Sequence, residues 1–248
     1  MIVLQYIRSL VFNACMYLAM ALIGAIYLPS AILVKDGARR ACNDYCSWVR
    51  WSASWMVGLR SEIRGEVPAD EVIVAAKHQS FFDIIMLFHA LPRARFIMKA
   101  ELVYAPILGW FALKIGCIPV KRGKRAQAIR KMVADVEAGR KEPGQLVIYP
   151  QGTRVAPGVA MPYKAGSAAL YVETTQPCVP AATNVGVFWP RHGVLRKPGL
   201  AVVEFLPRIE AGLDAKAFLA ELEPAVEEAS DALMAEAGFP LRVSDRQV

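Results

Sequence analysis

The rhythm of apolar and polar positions divides the chain into two unlike parts. Residues 10–34 are apolar almost throughout, interrupted by Asn13, Pro29 and Ser30. At ~1.5 Å per residue, 10–28 reaches about 28 Å as a helix, just enough to cross a bilayer core, and Pro29 is expected to break it. The run is too long for a cleaved leader and lacks a small-x-small site. Arg8 precedes it, whereas Lys35, Arg39 and Arg40 follow, which puts the remainder of the chain on the cytoplasmic side. A second helical segment covers 38–58. Trp48, Trp51 and Trp55 share one face there, extended by Tyr45, a face suited to a membrane interface or to packing on the domain. Residues 1–60 therefore read as a membrane-associated helical pair, spanning or lying in the interface.

Beyond 60, short apolar runs alternate with helical patterns. Strands are expected over 72–76, 95–98, 117–120, 145–149, 178–182 and 200–206. Helices are expected over 81–90, 107–115, 124–138, 165–174 and 214–237. Such alternation implies an α/β domain over 61–248, with a mostly parallel central sheet flanked by helices. The stretch from Ser61 to Pro68 reads as the junction.

A hydrophobic fraction of 55% and a net charge of +7 occur together, with pI ≈ 9.2 and mean hydropathy +0.33. Basic and greasy together favour an anionic membrane surface over nucleic acid. Five scattered cysteines form no disulfide framework, and with three histidines no zinc pattern arises, so no metal is expected.

The chemistry gathers in the turns after the strands, where ligands sit in open α/β sheets. His78 and Asp83 follow the first of them. On one continuous helix they would lie ~140° apart, so they converge only if a loop carries His78 and a helix starts between them. Ser80 is the expected N-cap, and Ser80-x-x-Asp83 is itself a capping-box pattern. A carboxylate-oriented imidazole is a general base; a satisfied loop histidine beside a capping acid is the alternative. Lys99 ends the next strand, Lys121 and Arg122 the third, and Gln151-Gly152-Thr153-Arg154 follows the fourth. Cations beside a base point to a phosphate-bearing substrate. The chain has no Gly-x-Ser-x-Gly, P-loop, Gly-x-Gly-x-x-Gly or His-Glu-x-x-His run, which argues against serine hydrolase, nucleotide and zinc chemistry.

Four blocks in order resemble the 1-acylglycerol-3-phosphate (lysophosphatidate) acyltransferase family. They are His78 to Asp83, Gly116-Cys-Ile-Pro-Val-Lys-Arg122, Tyr149-Pro-Gln-Gly-Thr-Arg154 and Val179-Pro180. Lys77 stands where that pattern often has Asn, and Gln151 where it usually has Glu. The resemblance implies an acyl thioester, on acyl carrier protein or coenzyme A, as co-substrate with no resident cofactor. It implies that His78 deprotonates the sn-2 hydroxyl, Asp83 orients it, and helix-start amides hold the oxyanion. Lys99, Arg122 and Arg154, with Gln151, Gly152 and Thr153, would bind the acceptor. Phosphatidate made at the cytoplasmic face of the inner membrane is the implied output. An enzyme for another lyso-lipid such as lyso-ornithine lipid, or a non-catalytic lipid-binding protein, is the alternative. Nucleic acid is not an expected partner.

Overall fold

The computed structural model describes residues 2–121, 130, 133–134 and 144–240. Two long helices open the chain, α1 (Ile2–Leu33) and α2 (Gly37–Val57). Helix α1 starts earlier than the apolar run and continues through Pro29, so proline does not break it. Ser30 instead lies at the reversal, its carbonyl accepting from Val34 N at 2.8 Å. A side chain at Gly37 would lie 2.1 Å from that same carbonyl oxygen, so only glycine lets the two helices pack this closely here.

Gln5, Ser9 and Asn13 recur every four residues, hence on one helix face. They explain the polar interruptions, because that face is bound to the domain. Gln5 Nε2 donates to Val57 O and Arg196 O at 2.9 and 2.8 Å. Ser9 Oγ accepts from Arg196 N at 2.9 Å, and Asn13 Oδ1 from Arg196 Nη2 at 3.0 Å. Phe12 meets Trp189 edge-on at 5.5 Å. Other apolar residues of α1, Leu10, Leu18, Leu22 and Ile26 among them, are exposed. The tryptophan face of α2 splits: Tyr45 and Trp48 pack inward, while Trp51 and Trp55 point out as an exposed pair 5.5 Å apart.

The sheet has seven strands, β1 (Leu59–Arg64), β2 (Ile73–Ala76), β3 (Arg95–Lys99), β4 (Ile118–Val120), β5 (Leu146–Ile148), β6 (Cys178–Thr183) and β7 (Gly199–Phe205). Their order is β1-β7-β6-β2-β5-β3-β4, and every neighbouring pair is parallel except β6 with β7. The expected junction proves to hold β1, whose Arg60, Glu62 and Arg64 disguised it. Charged residues blunt an edge strand, and β1 is the edge beside β7.

The remaining helices are α3 (Phe82–Ala90), α4 (Leu108–Lys114), α5 (Ala165–Thr174), α6 (Val185–Phe188) and α7 (Ala215–Glu236). The short α6 has no forecast in the sequence. Asp214 caps α7 by accepting from Lys216 N and Ala217 N at 2.9 and 2.8 Å. The helix expected over 124–138 falls largely outside the described residues, as does Arg122.

Strand β2 sits at the centre and is wholly buried. Val74 and Ala76 face the layer built by α2 and α3, whereas Ile73 and Ala75 face α5 and α7. Both sides of the pleat are therefore apolar, which is why this strand reads as a continuous run. Five parallel strands, β2 to β6, end on one edge, and the polar turns collect there.

Candidate active site

After Ala76 the chain leaves the sheet, with Lys77 N donating to Ala181 O and His78 O accepting from Val155 N. Helix α3 begins at Phe82, two residues beyond Ser80. Ser80 caps it less directly than expected: its Oγ accepts from Phe82 N at 3.2 Å. Asp83, in the first turn, does more. Its Oδ2 accepts from Gln79 N at 2.8 Å and Ser80 N at 2.7 Å, while Oδ1 meets His78 Nδ1 at 2.9 Å. The carboxylate is fully buried. The fold thus unites cap and dyad in a single side chain.

A carboxylate acceptor requires Nδ1 of His78 to carry the proton, which leaves the Nε2 lone pair for a substrate. Tyr149, at the end of β5, fixes the ring from above: it stacks on His78 at 3.8 Å and 17°, and its hydroxyl donates to Asp83 Oδ1 at 3.3 Å. Burial, and secondarily the Asp83 carboxylate, push the Tyr149 phenol well above its ordinary pKa. Tyr149 therefore stays neutral throughout any workable assay. Tyr149→Phe keeps the stack and loses one long hydrogen bond, so kcat should fall less than about tenfold. The pH profile of that variant should parallel the wild type, as steady-state rates across pH will report.

The imidazole faces a cavity of about 660 Å³, within the usual range for ligand sites. Toward the helical pair its wall is apolar, formed by Tyr45, Phe88, Phe96, Leu108, Phe111 and Ile115. Toward the strand ends it is polar, with Thr153, Arg154, Lys164, Ser167 and Arg191. Arg154 and Arg191 hold each other through main-chain carbonyls, Arg154 Nη1 donating to Arg191 O at 3.3 Å and Arg191 Nη1 to Arg154 O at 3.0 Å. Among the described residues, neither arginine nor Lys164 has a carboxylate partner. Three uncompensated cations in one pocket attract an anion. Gly152 is left-handed at φ 67, and a side chain there would lie 2.9 Å from Lys164 Nζ, so the glycine gives that ammonium its room.

The expected site residues separate on this map. His78, Lys99, Gly152, Thr153 and Arg154 line the cavity. Lys99 is half exposed and ion-paired with Glu101 at 3.4 Å. Asp83 sits behind the imidazole. Gln151 is 1% exposed and lies behind the wall, donating to Met161 O at 3.1 Å and to Glu227 Oε1 at 3.4 Å. It binds protein, not the cavity's occupant. The helix-start amides of Gln79, Ser80 and Phe82 already have acceptors, so they are no oxyanion donors. Phe81, which lines the cavity, contributes an amide without an acceptor among the described residues. Sequence reasoning missed Lys164 and Arg191, which arrive from distant segments, and gave no role to Tyr149.

Thiol chemistry finds no support in this site. Burial pushes the cavity-lining Cys117 up to about 11 and the core residue Cys178 to about 12, keeping both protonated.

A family model described as Acyltransferase matches residues 59–184. The chain belongs to that acyltransferase family. The matched span runs from β1 to the turn after β6 and encloses both the His78–Asp83 pair and the Gln151–Arg154 turn. Curated relatives extend the likeness beyond it. The acyltransferase is 25% identical over 236 residues to a 1-acyl-sn-glycerol-3-phosphate acyltransferase of Pseudomonas aeruginosa, covering 94% of this chain and 92% of that one. A Saccharomyces cerevisiae protein of the same name is 28% identical over 197 residues, 77% of this chain and 65% of its own. The crystal structure of the 1-acyl-sn-glycerophosphate acyltransferase PlsC from Thermotoga maritima superposes with a TM-score of 0.77 at 17% identity, covering 93% of this chain and 97% of that one. That likeness establishes the fold, including the helical pair ahead of a mostly parallel sheet.

Proposed function

We propose that this acyltransferase moves a fatty acyl group from an acyl thioester to the sn-2 hydroxyl of 1-acylglycerol-3-phosphate, giving phosphatidate. One observation carries the reading: the oriented imidazole of His78 stands between an apolar chamber and a pocket of three uncompensated cations. A substrate that matches needs an acyl chain, a hydroxyl and a phosphate within one molecule's length. A phosphate monoester carries about two negative charges, which suits Arg154, Lys164 and Arg191; a zwitterionic ornithine headgroup matches them poorly. The names of the Pseudomonas and yeast relatives agree with this acceptor.

In the reaction, His78 Nε2 takes the hydroxyl proton as the oxygen attacks the thioester carbonyl. Asp83 stabilises the imidazolium that forms. The tetrahedral oxyanion accepts from the Phe81 amide. Collapse expels the thiolate, which recovers the proton from His78, so base and leaving group return to their starting states without an acyl-enzyme. The exposed apolar stripe of α1, with Trp51 and Trp55 beside it, supports attachment to a bilayer with the helices lying in the interface. The domain side of α1 is already bonded to the protein, which favours that posture over a free span.

Purified protein offered acyl carrier protein and coenzyme A thioesters, each against lysophosphatidate and lyso-ornithine lipid, tests the assignment. Phosphatidate is the expected product with at least one donor; acylation of lyso-ornithine lipid alone, or of neither acceptor, would overturn it. Arg154→Ala and Lys164→Ala should each raise the lysophosphatidate KM roughly tenfold or more, the scale of one lost charge-assisted hydrogen bond. An unchanged KM would take that residue out of the phosphate pocket.

A further inference from the structure

Behind the Gln151–Arg154 turn lies a buried polar cluster that the reaction as written does not use. Lys77 Nζ contacts Glu227 Oε1 and Oε2 at 2.5 and 2.6 Å. Tyr163 OH donates to Glu227 Oε1 at 3.0 Å, and Gln151 Nε2 approaches it at 3.4 Å. Lys77, Gln151, Glu227 and Tyr163 are all at least nine-tenths buried, and Gln151 Oε1 has no hydrogen-bond partner. Buried charges are costly to desolvate, and an apolar pair of similar volume often serves stability as well. Stability alone is therefore a poor account of this pair.

Its connections suggest a better one. Lys77 immediately precedes His78, and Gln151 immediately precedes Gly152, so one carboxylate on α7 grips both turns that face the substrate. Tyr163 adds the residue before Lys164. The base, the Arg154 turn and the Lys164 position are thus each one to three residues from a side chain held by Glu227.

The sequence departures fit together in this cluster. Gln151 lacks the carboxylate expected at its position, and Lys77 adds a cation where a neutral amide is common. Glu227 restores the anion from another element, within 3.4 Å of Gln151, and Lys77 balances it.

We propose that Glu227 is a positioning residue for acyl transfer, its carboxylate standing in for the one that Gln151 lacks and fixing the His78 turn against the phosphate-binding turn. The proposal rests on the lysophosphatidate reading above.

The test compares steady-state kinetics of purified wild type, Glu227→Gln, Gln151→Glu and the double swap Gln151→Glu/Glu227→Gln, varying lysophosphatidate and scaling rates to folded protein. Glu227→Gln leaves the Lys77 ammonium without its anion, and Gln151→Glu sets two carboxylates side by side. Each single variant should raise the acceptor KM about tenfold and lower kcat several-fold, while the swap recovers kcat/KM to within about threefold of wild type. A role confined to stability would lower the melting temperature and leave kcat and KM of the folded protein unchanged; that result, or a swap no better than the singles, overturns the proposal.

Should Glu227→Gln fail to fold, Lys77→Met/Glu227→Met removes both charges and remains packable. It should still show the raised KM, and a wild-type KM in it also overturns the proposal. A wild type that makes no phosphatidate overturns the functional reading and this inference with it. An active wild type with indifferent variants overturns this inference alone.

Discussion

Replacing His78 with alanine is expected to lower kcat for phosphatidate formation by about 10²–10⁴-fold, the range of one positioned general base. Acceptor KM should move little, because the proposed phosphate contacts are Arg154, Lys164 and Arg191, other residues of the cavity wall. Folding should survive, since the His78 side chain is 13% exposed and its removal leaves the Asp83 bonds to the Gln79 and Ser80 amides intact. Steady-state rates and a melting curve on the same preparation check both halves. Near-wild-type turnover in this variant would remove the base from the mechanism.

Asp83→Asn is the second large effect. The carboxylate accepts on both oxygens, from His78 Nδ1 on one side and from two main-chain amides on the other. An asparagine amide has a single oxygen, so its NH₂ must face either the Nδ1 proton or the amide pair. The first orientation favours the other imidazole tautomer, moving the proton to Nε2, the nitrogen proposed as the base. The second leaves donors facing donors in a fully buried place, at about 1–3 kcal/mol. Loss of kcat by about 10²–10⁴-fold is expected, together with a lowered melting temperature that His78→Ala does not share. Equal kcat in Asp83→Asn and wild type would reduce Asp83 to a helix cap.

The contrast between these two variants follows from a division also visible in what the sequence disclosed. His78 and Asp83 are five residues apart, so the bond between them is a local consequence of a loop ending where a helix begins. Central strands were legible for a related reason: Ile73 to Ala76 are buried on both faces and show no polar residue to confuse the pattern. Strand β1 was not, because an edge strand with Arg60, Glu62 and Arg64 looks like a linker until its partner β7 is in place.

The cationic side of the cavity was half legible. Arg154 follows a strand and obeys the sheet-edge rule, whereas Lys164 opens α5 and Arg191 sits in the loop after α6, brought in only by packing. Gln151 misled in an instructive way. Its neighbours Gly152 to Arg154 face the cavity, but the turn directs Gln151 inward to Glu227, 76 residues away. No local pattern announces that pairing.

Direct transfer from thioester to hydroxyl, with His78 as the base and no covalent acyl-enzyme, is the proposed reaction. Rapid-quench single turnover, following free thiol and phosphatidate in the same samples, measures it. The two products should appear with one rate constant, and thiol release should be negligible until lysophosphatidate is added. A stoichiometric burst of thiol before phosphatidate, or thiol release with no phosphatidate at all, would contradict the account.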